Sequence, residues 1–395
     1  MRDELENNFS DKQRLHHLSL IRSPHVGPVT FQQLIARFGT AEAALEALLE
    51  MTGKGGGKAS KVCSEAAATK EIAGYRKVGA KVIFWGETAY PPRLAVLVDA
   101  PPVLSVIGNI ALLIKKSVAI VGARNASING QTFAEVLARE IGAGGYLVVS
   151  GMARGIDAAA HRGALQTGIV AVLGGGVDVI YPRQNAHLYE RLRDEGALIS
   201  EIAAGTQPTA RHFPRRNRII SGMARGVVVV EASPRSGSLI TARLAADQGR
   251  EVFAVPGAVQ DPRARGTNGL IRDGAVMAET ADDVLSVLDT LSPSIRPSPI
   301  HEAISTSEIE IEGNDLPNAS SPLGPSLPAA DFDAPSQNLR ADVIASLGHA
   351  PTATDAIVRQ LGAPASTIAT ILLELELAGR LERHPGNLVS LKADG

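Results

Sequence analysis

The 395-residue sequence predicts an α/β protein: a Rossmann-like, doubly wound, mostly parallel sheet, with a small N-terminal helical (SAM/helix-hairpin-helix-like) domain and a C-terminal winged-helix domain. Two observations predict the centre. Seven apolar runs between Lys81 and Gly257 are continuous rather than alternating, as in strands buried on both faces. Amphipathic segments separate most of them, and right-handed crossovers through such helices wind a sheet in both directions. A third observation sets the flanks, because helical spacing prevails at both ends and a Pro- and Ser-rich stretch precedes the last domain.

In chain order, residues 1–80 form the helical domain, with LHHLSLIR at 15–22, TFQQLIARF at 30–38 and AEAALEALLE at 41–50, and Gly39 as a helix stop. Between the first two lies SPHVGPVT (23–30), which has the outline of a helix-hairpin-helix, a motif whose backbone amides touch a DNA phosphate. His25 stands where that motif has its usual second glycine, so a plain helical turn is expected. Residues 81–290 form the Rossmann-like domain, with strands at 81–85, 117–122, 146–151, 169–174, 197–202, 227–232 and 251–257, and helices at 131–145, 157–168, 188–196 and 241–249. Residues 291–338 hold seven acids, one base, eight prolines and nine serines, the composition of a disordered linker. Residues 339–395 read as three helices and a hairpin turning at His384, Pro385, Gly386 and Asn387, which is winged-helix order. Its third helix, 366–378, contains Glu374 and Glu376 but no Lys or Arg, so contact with protein is expected there rather than with DNA.

The near-neutral total of −2 is a sum of unlike parts: +2 over 1–114, +3 over 115–290, −6 over 291–338 and −1 over the tail. Neutrality therefore does not exclude nucleic acid, and the acidic linker is expected to compete weakly with DNA for a basic groove. A single cysteine, Cys63, excludes an internal disulfide and Cys-based structural zinc. With a polar start and no run of about 18 apolar residues, a cytoplasmic protein is expected.

Sheets of this kind bind ligands beyond the C-terminal ends of their strands. Four loops there are unusual: Gly122, Ala123, Arg124 and Asn125 leading to Ser127; Gly151 to Asp157 by way of Arg154; the triple glycine 174–176 followed by Tyr181, Pro182 and Arg183; and Ser233 to Ser238. Glycine permits close backbone approach, arginine offers a planar fork to phosphate, and helix starts attract anions. No G-x-G-x-x-G fingerprint, P-loop or nucleophile elbow is present, so no cofactor, metal or catalytic set is expected. Asp157 and His161, at i and i+4, read as a helix cap and a packed neighbour rather than as acid/base or metal chemistry. The hexapeptide Ser-Gly-Met-Ala-Arg-Gly at 150–155 recurs at 221–226 in the opposite context, after a helix and before a strand, which argues coincidence over duplication.

The most informative segment is 211–220. From 202 to 230 there are five arginines (Arg211, Arg215, Arg216, Arg218 and Arg225) and no acid, with Phe213 among them. An aromatic inside a basic run is what single-strand binding needs, stacking for a base and charge for the backbone. Some of these arginines are expected to pair with Glu201, Glu231 or Asp247, since not all can face one groove.

These residues resemble the DNA-processing protein A (DprA/Smf) family. The motifs that carry the resemblance are Tyr-Pro-Pro-Arg-Leu at 90–94, Val-Gly-Ala-Arg at 121–124, the run from Ser150 through His161, Tyr181-Pro182, the run from His212 through Ile220, Ser236-Gly237-Ser238 with Thr241-Ala242, and Val255-Pro256-Gly257. The resemblance implies a bacterial, non-enzymatic protein that binds single-stranded DNA taken up in natural transformation, protects it and helps load the RecA recombinase for homologous recombination, as a homodimer built through the Rossmann domain. It places the DNA on Gly122, Arg124, Phe213 and arginines among 211–218. The full candidate set is Gly122, Arg124, Ser127, Gly151, Arg154, Arg183, Arg211, Phe213, Arg215, Arg216, Asn217 and Arg218. The alternative is a nucleotide-processing enzyme of the phosphoribohydrolase type, suggested by 174–176, although that loop lacks the accompanying Gly-Thr and Glu.

Overall fold

Nine strands form the central sheet of the computed structural model: β1 (Lys81–Phe84), β2 (Val103–Gly108), β3 (Ser117–Val121), β4 (Leu147–Ser150), β5 (Ile169–Val172), β6 (Ala197–Ser200), β7 (Gly226–Val229), β8 (Glu251–Ala254) and β9 (Val276–Met277). Their order is β1-β2-β6-β5-β4-β3-β7-β8-β9. The seven strands from β6 to β9 are parallel, and β2 and β1 are added antiparallel at one edge. The structure describes residues 9–53, 62–290, 337–347 and 351–392; of the expected linker, 291–338, all but 337 and 338 lie outside the described residues.

The chain runs outward from β3 through β4 and β5 to β6, then returns to place β7 on the other side of β3. That reversal opens a crevice beyond the C-terminal ends of β3 and β7, the usual ligand position in such sheets. Side chains alternate between two cores. Val118, Ile120, Val148, Ile169 and Val228 pack under helices Ile128–Ala143 and Ile156–Ala164, while Ala119, Val121, Val149, Val170 and Val227 pack under His212–Met223 and Gly237–Asp247. Strands β2 and β9 go beyond the expected set. A strand added antiparallel needs no crossover helix, so nothing in the helical rhythm announces Val103–Gly108.

Four helices, Asp11–Arg22, Pro28–Phe38, Ala41–Gly53 and Glu65–Lys77, precede β1. The first begins with a capping box between Ser10 and Gln13. Phe9, Leu18 and Ala68 pack with Phe84 and Val103, seating these helices on the β1-β2 edge, and Arg14 pairs with the buried Glu87 at 2.7 Å. Gly39 ends the second helix at φ 78°, as expected. His25 takes φ 64°, the left-handed conformation that a glycine would supply.

The described residues up to 290 and those from 337 onward belong to two separate compact units. In the second, helices Gln337–Ser346, Thr354–Leu361 and Ala365–Leu377 pack with a sheet of β10 (Thr352–Ala353), β11 (Leu381–His384) and β12 (Leu388–Leu391), in the order β10-β12-β11. Val343, Ile357, Ile368, Ile371, Leu372, Leu375 and Val389 form its core. The expected turn is there, with Gly386 and Asn387 at φ 84° and 57°; the short β10 is additional. Glu374 and Glu376 of the third helix are held by Arg340 (2.9 Å) and Arg383 (2.8 Å). Among the described residues, no helix is long and apolar enough to cross a membrane.

Candidate nucleic-acid interface

The loops after β3 and β4 interlock. Gly155 has φ 73°, and a Cβ there would run into the carbonyl oxygens of Ala123 and Arg124, while a Cβ on Gly122 would lie 2.6 Å from the Ile156 side chain. The Ile156 amide donates to the Ala123 carbonyl at 3.2 Å. Two buried groups hold the second loop from below. The Asp157 carboxylate accepts from the Ala153 amide and His161 Nε2 accepts from the Met152 amide, both at 3.2 Å. Burial pushes the His161 pKa down to about 3, which keeps the ring a neutral acceptor. Burial pushes the Asp157 carboxyl up, against the pull of Arg216. Both residues therefore shape a loop; Asp157 holds the Ala153 amide ahead of the helix rather than capping it as expected, since the N-cap is Gly155, and His161 packs beside it.

A cavity of about 490 Å³ lies at the switch point, lined by the loops after β3 and β7 together with Asp157, Arg216 and Asn217. Arg216 is 5% exposed and donates to the carbonyls of Gly151 and Val172. Burial lowers its pKa to about 10, partly opposed by Asp157. Asn217 donates to the Gly237 carbonyl at 3.4 Å.

Beside this cavity stands an aromatic rim. Phe213, half-buried in the first turn of helix His212–Met223, lies 5.4 Å centroid to centroid from the exposed Tyr181, and the Arg124 guanidinium is 5.3 Å from the Phe213 ring centre. Gly174 forms the floor: a Cβ there would sit 3.0 Å from the Phe213 ring. The triple glycine is thus explained by packing, since Gly175 and Gly176 in turn approach the backbone at Thr206 and Ala203.

The candidate residues divide accordingly. Gly122, Arg124, Phe213, Arg216 and Asn217 meet around the cavity and its rim. Arg154, Arg183 and Arg211 are exposed on the loops that leave β4, β5 and β6. Arg215 is exposed but pairs with Glu201 at 3.2 Å. Arg218 is turned away: about 100° per residue separates it by some 200° from Arg216, and it is buried against Glu201 (2.5 Å) and the Asp99 carbonyl. Gly151 is buried beneath the Arg216 guanidinium. Ser127 is also occupied, capping helix Ile128–Ala143 and donating from its hydroxyl (2.5 Å) and amide (2.9 Å) to Glu231. Tyr181, Ser233, Ser236, Ser238, Thr241 and Arg263 join the rim or cavity from outside the candidate set. The loops carrying Tyr181 and the serines are unusual in sequence, whereas nothing in the sequence signals Arg263.

Residues 81–289 match the family model described as DNA recombination-mediator protein A, residues 11–74 that of a DprA-like N-terminal HHH domain, and residues 327–387 that of a DprA winged helix domain. The second match, with the left-handed His25, corrects the plain-turn reading of 23–30: a histidine supplies the conformation expected of glycine. Protein Smf of Escherichia coli is 37% identical over 310 residues, 77% of this chain and 75% of its own. DNA processing protein DprA of Streptococcus pneumoniae is 43% identical over 202 residues, 51% of this chain and 71% of its own. The X-ray structure of DNA processing protein A from Streptococcus pneumoniae superposes with a TM-score of 0.61 at 32% identity, covering 70% of this chain and 98% of that one. The chain belongs to the DNA recombination-mediator protein A (DprA/Smf) family.

Proposed function

We propose that this chain is a non-enzymatic, cytoplasmic binder of single-stranded DNA that receives DNA taken up in natural transformation, protects it and helps load RecA for homologous recombination. The observation that carries the reading is the rim of Arg124, Phe213 and Tyr181, a stacking surface joined to a guanidinium. Base faces stack without regard to sequence while arginines follow the backbone, which suits a general single-strand binder. Arg154, Arg183 and Arg211 extend the positive path, and Arg215 adds charge where Glu201 does not take it. In this reading, 81–290 is the DNA-binding body and the homodimer surface, 291–338 an acidic spacer, and 339–395 a protein-contact module whose third helix exposes Ala365, Ser366 and Ala369 and no cation. A phosphoribohydrolase needs a poised carboxylate, and Glu231 is committed to Ser127. The test is binding to poly-dT against duplex DNA at two salt concentrations, with RecA filament assembly on protein-coated single strands as the second readout. Preference for poly-dT and faster RecA assembly are expected; equal affinity for duplex contradicts the first part, and unaltered assembly the second.

A further inference from the structure

The single-strand reading uses the rim and leaves the adjoining cavity unexplained. Arg216 lines that cavity, is more than nine-tenths buried, and has its Nε without a hydrogen-bond partner. Among the described residues no carboxylate comes within 4.0 Å of its guanidinium. A buried cation without a counter-ion is costly to keep, and an anion placed beside it recovers that cost. Asp157, the carboxylate in the lining, offsets part of that cost at longer range but forms no ion pair with the guanidinium, and its own oxygen is held by the Ala153 amide.

The 11-residue helix Gly237–Asp247 begins at the cavity; Ser236 caps it, accepting from the Ser238 and Leu239 amides, and the positive end of the helix still favours an anion there. Hydroxyls surround this opening. Ser233, Ser236, Ser238 and Thr241 all line the cavity, and Ser238 and Thr241 are buried. Ser236 and Ser238 share one hydrogen bond at 2.7 Å, which uses one hydroxyl proton and leaves the other to donate elsewhere. Arg124 and Arg263 stand in the lining as well, the latter tied to Asp261 at 2.8 Å.

We infer that this cavity seats a terminal phosphate of a DNA strand, a phosphomonoester, in preference to an internal phosphodiester. The inference rests on the single-strand reading of the rim. An internal phosphate offers two non-bridging oxygens and one negative charge. A terminal one offers three oxygens and a charge near −2 at neutral pH, which matches a cluster of hydroxyls and amides beside a guanidinium without an ion-pair partner. A volume of about 490 Å³ accepts a terminal nucleotide with its phosphate. The neighbouring Phe213 and Arg124 then receive the next bases and the backbone.

The experiment uses the full chain and oligo(dT) of about ten nucleotides, short enough that ends compete with internal sites, bearing a 5′-phosphate, a 3′-phosphate or neither. A phosphorylated end is expected to bind at least about tenfold tighter, as for hydrogen bonds to a charged group; which end wins identifies the strand's direction. In competition, dTMP should displace the phosphorylated oligomer where thymidine does not. Thr241→Val, close in shape, should shrink the ratio between phosphorylated and unphosphorylated oligomers. Equal affinity for the three oligomers overturns the inference and leaves the single-strand reading standing, whereas failure of all three to bind overturns that reading. A ratio untouched by Thr241→Val removes the hydroxyl side from the seat.

Discussion

Arg124 and Phe213 come from opposite sides of the switch point, one from the loop after β3 and one from the helix that leads into β7, and stand 5.3 Å apart, guanidinium carbon to ring centre. Neither is central to a hydrophobic core: Phe213 is only half-buried and Arg124 is exposed. A cation held over an aromatic face joins charge and stacking at one point, so each can be removed without dismantling the sheet.

Phe213→Ala should weaken binding to oligo(dT) by about 1–3 kcal/mol if one base stacks there. Fluorescence anisotropy with wild type and variant measures the difference. An unchanged affinity would assign the ring to packing against Gly174 and Tyr181.

Gly174→Val tests the same platform from below. Its Cβ would meet the Phe213 ring at 3.0 Å, and the branched side chain must push the ring from its place. Weaker oligo(dT) binding is expected, with near-native circular dichroism; native affinity would mean that stacking tolerates a displaced ring.

The basic run should divide by burial. Arg218→Ala leaves the buried Glu201, among the described residues, with the exposed Arg215 alone for a partner and is expected to cost about 3–5 kcal/mol in urea unfolding, whereas Arg215→Ala removes an exposed arginine, leaves Glu201 paired with Arg218 and should cost about 0–1 kcal/mol. In binding, Arg215→Ala should flatten the salt dependence. Comparable stability losses in the two variants would contradict the assignment of Arg218 to the fold.

His161 gives a pH signature. Its folded pKa is about 3 against 6.5 in the unfolded chain, so the unfolded state takes up the proton first on acidification. The contribution is fully present above about pH 6.5 and is lost as pH falls toward 3, with a slope of at most ~1.4 kcal/mol per pH unit. His161→Gln, which keeps an acceptor for the Met152 amide, should be less sensitive than wild type between pH 7 and 5 in urea titrations. Parallel curves for the two proteins would refute this.

The parallel sheet was legible because strands buried on both faces are written as unbroken runs, such as Val227 to Val230, and because helices separate them. Strand β2 was hidden by its antiparallel entry next to β1. At the site, the gathering of the loops, Arg124 and Phe213 beside one crevice was legible from residue type. The fate of individual arginines was not, since it depends on helix phase and on distant acids: Arg218 finds Glu201 and Asp99 through tertiary folding. The role of Ser127 likewise depends on Glu231, which arrives from another strand. The glycines 174–176 resemble a nucleotide loop in sequence, and tertiary packing accounts for them: the Phe213 ring on Gly174 and the backbone at Thr206 and Ala203 against Gly175 and Gly176. At His25, residue type was misleading, because the backbone conformation was kept while its usual residue was not.

The most direct test is a salt titration of oligo(dT) affinity for the full chain and for Arg124→Ala. Engagement of a strand phosphate by Arg124 predicts weaker binding in the variant and a log–log slope shallower by about 0.7, the value for one phosphate that is no longer neutralised. An affinity and slope identical to wild type would contradict the placement of single-stranded DNA on this rim.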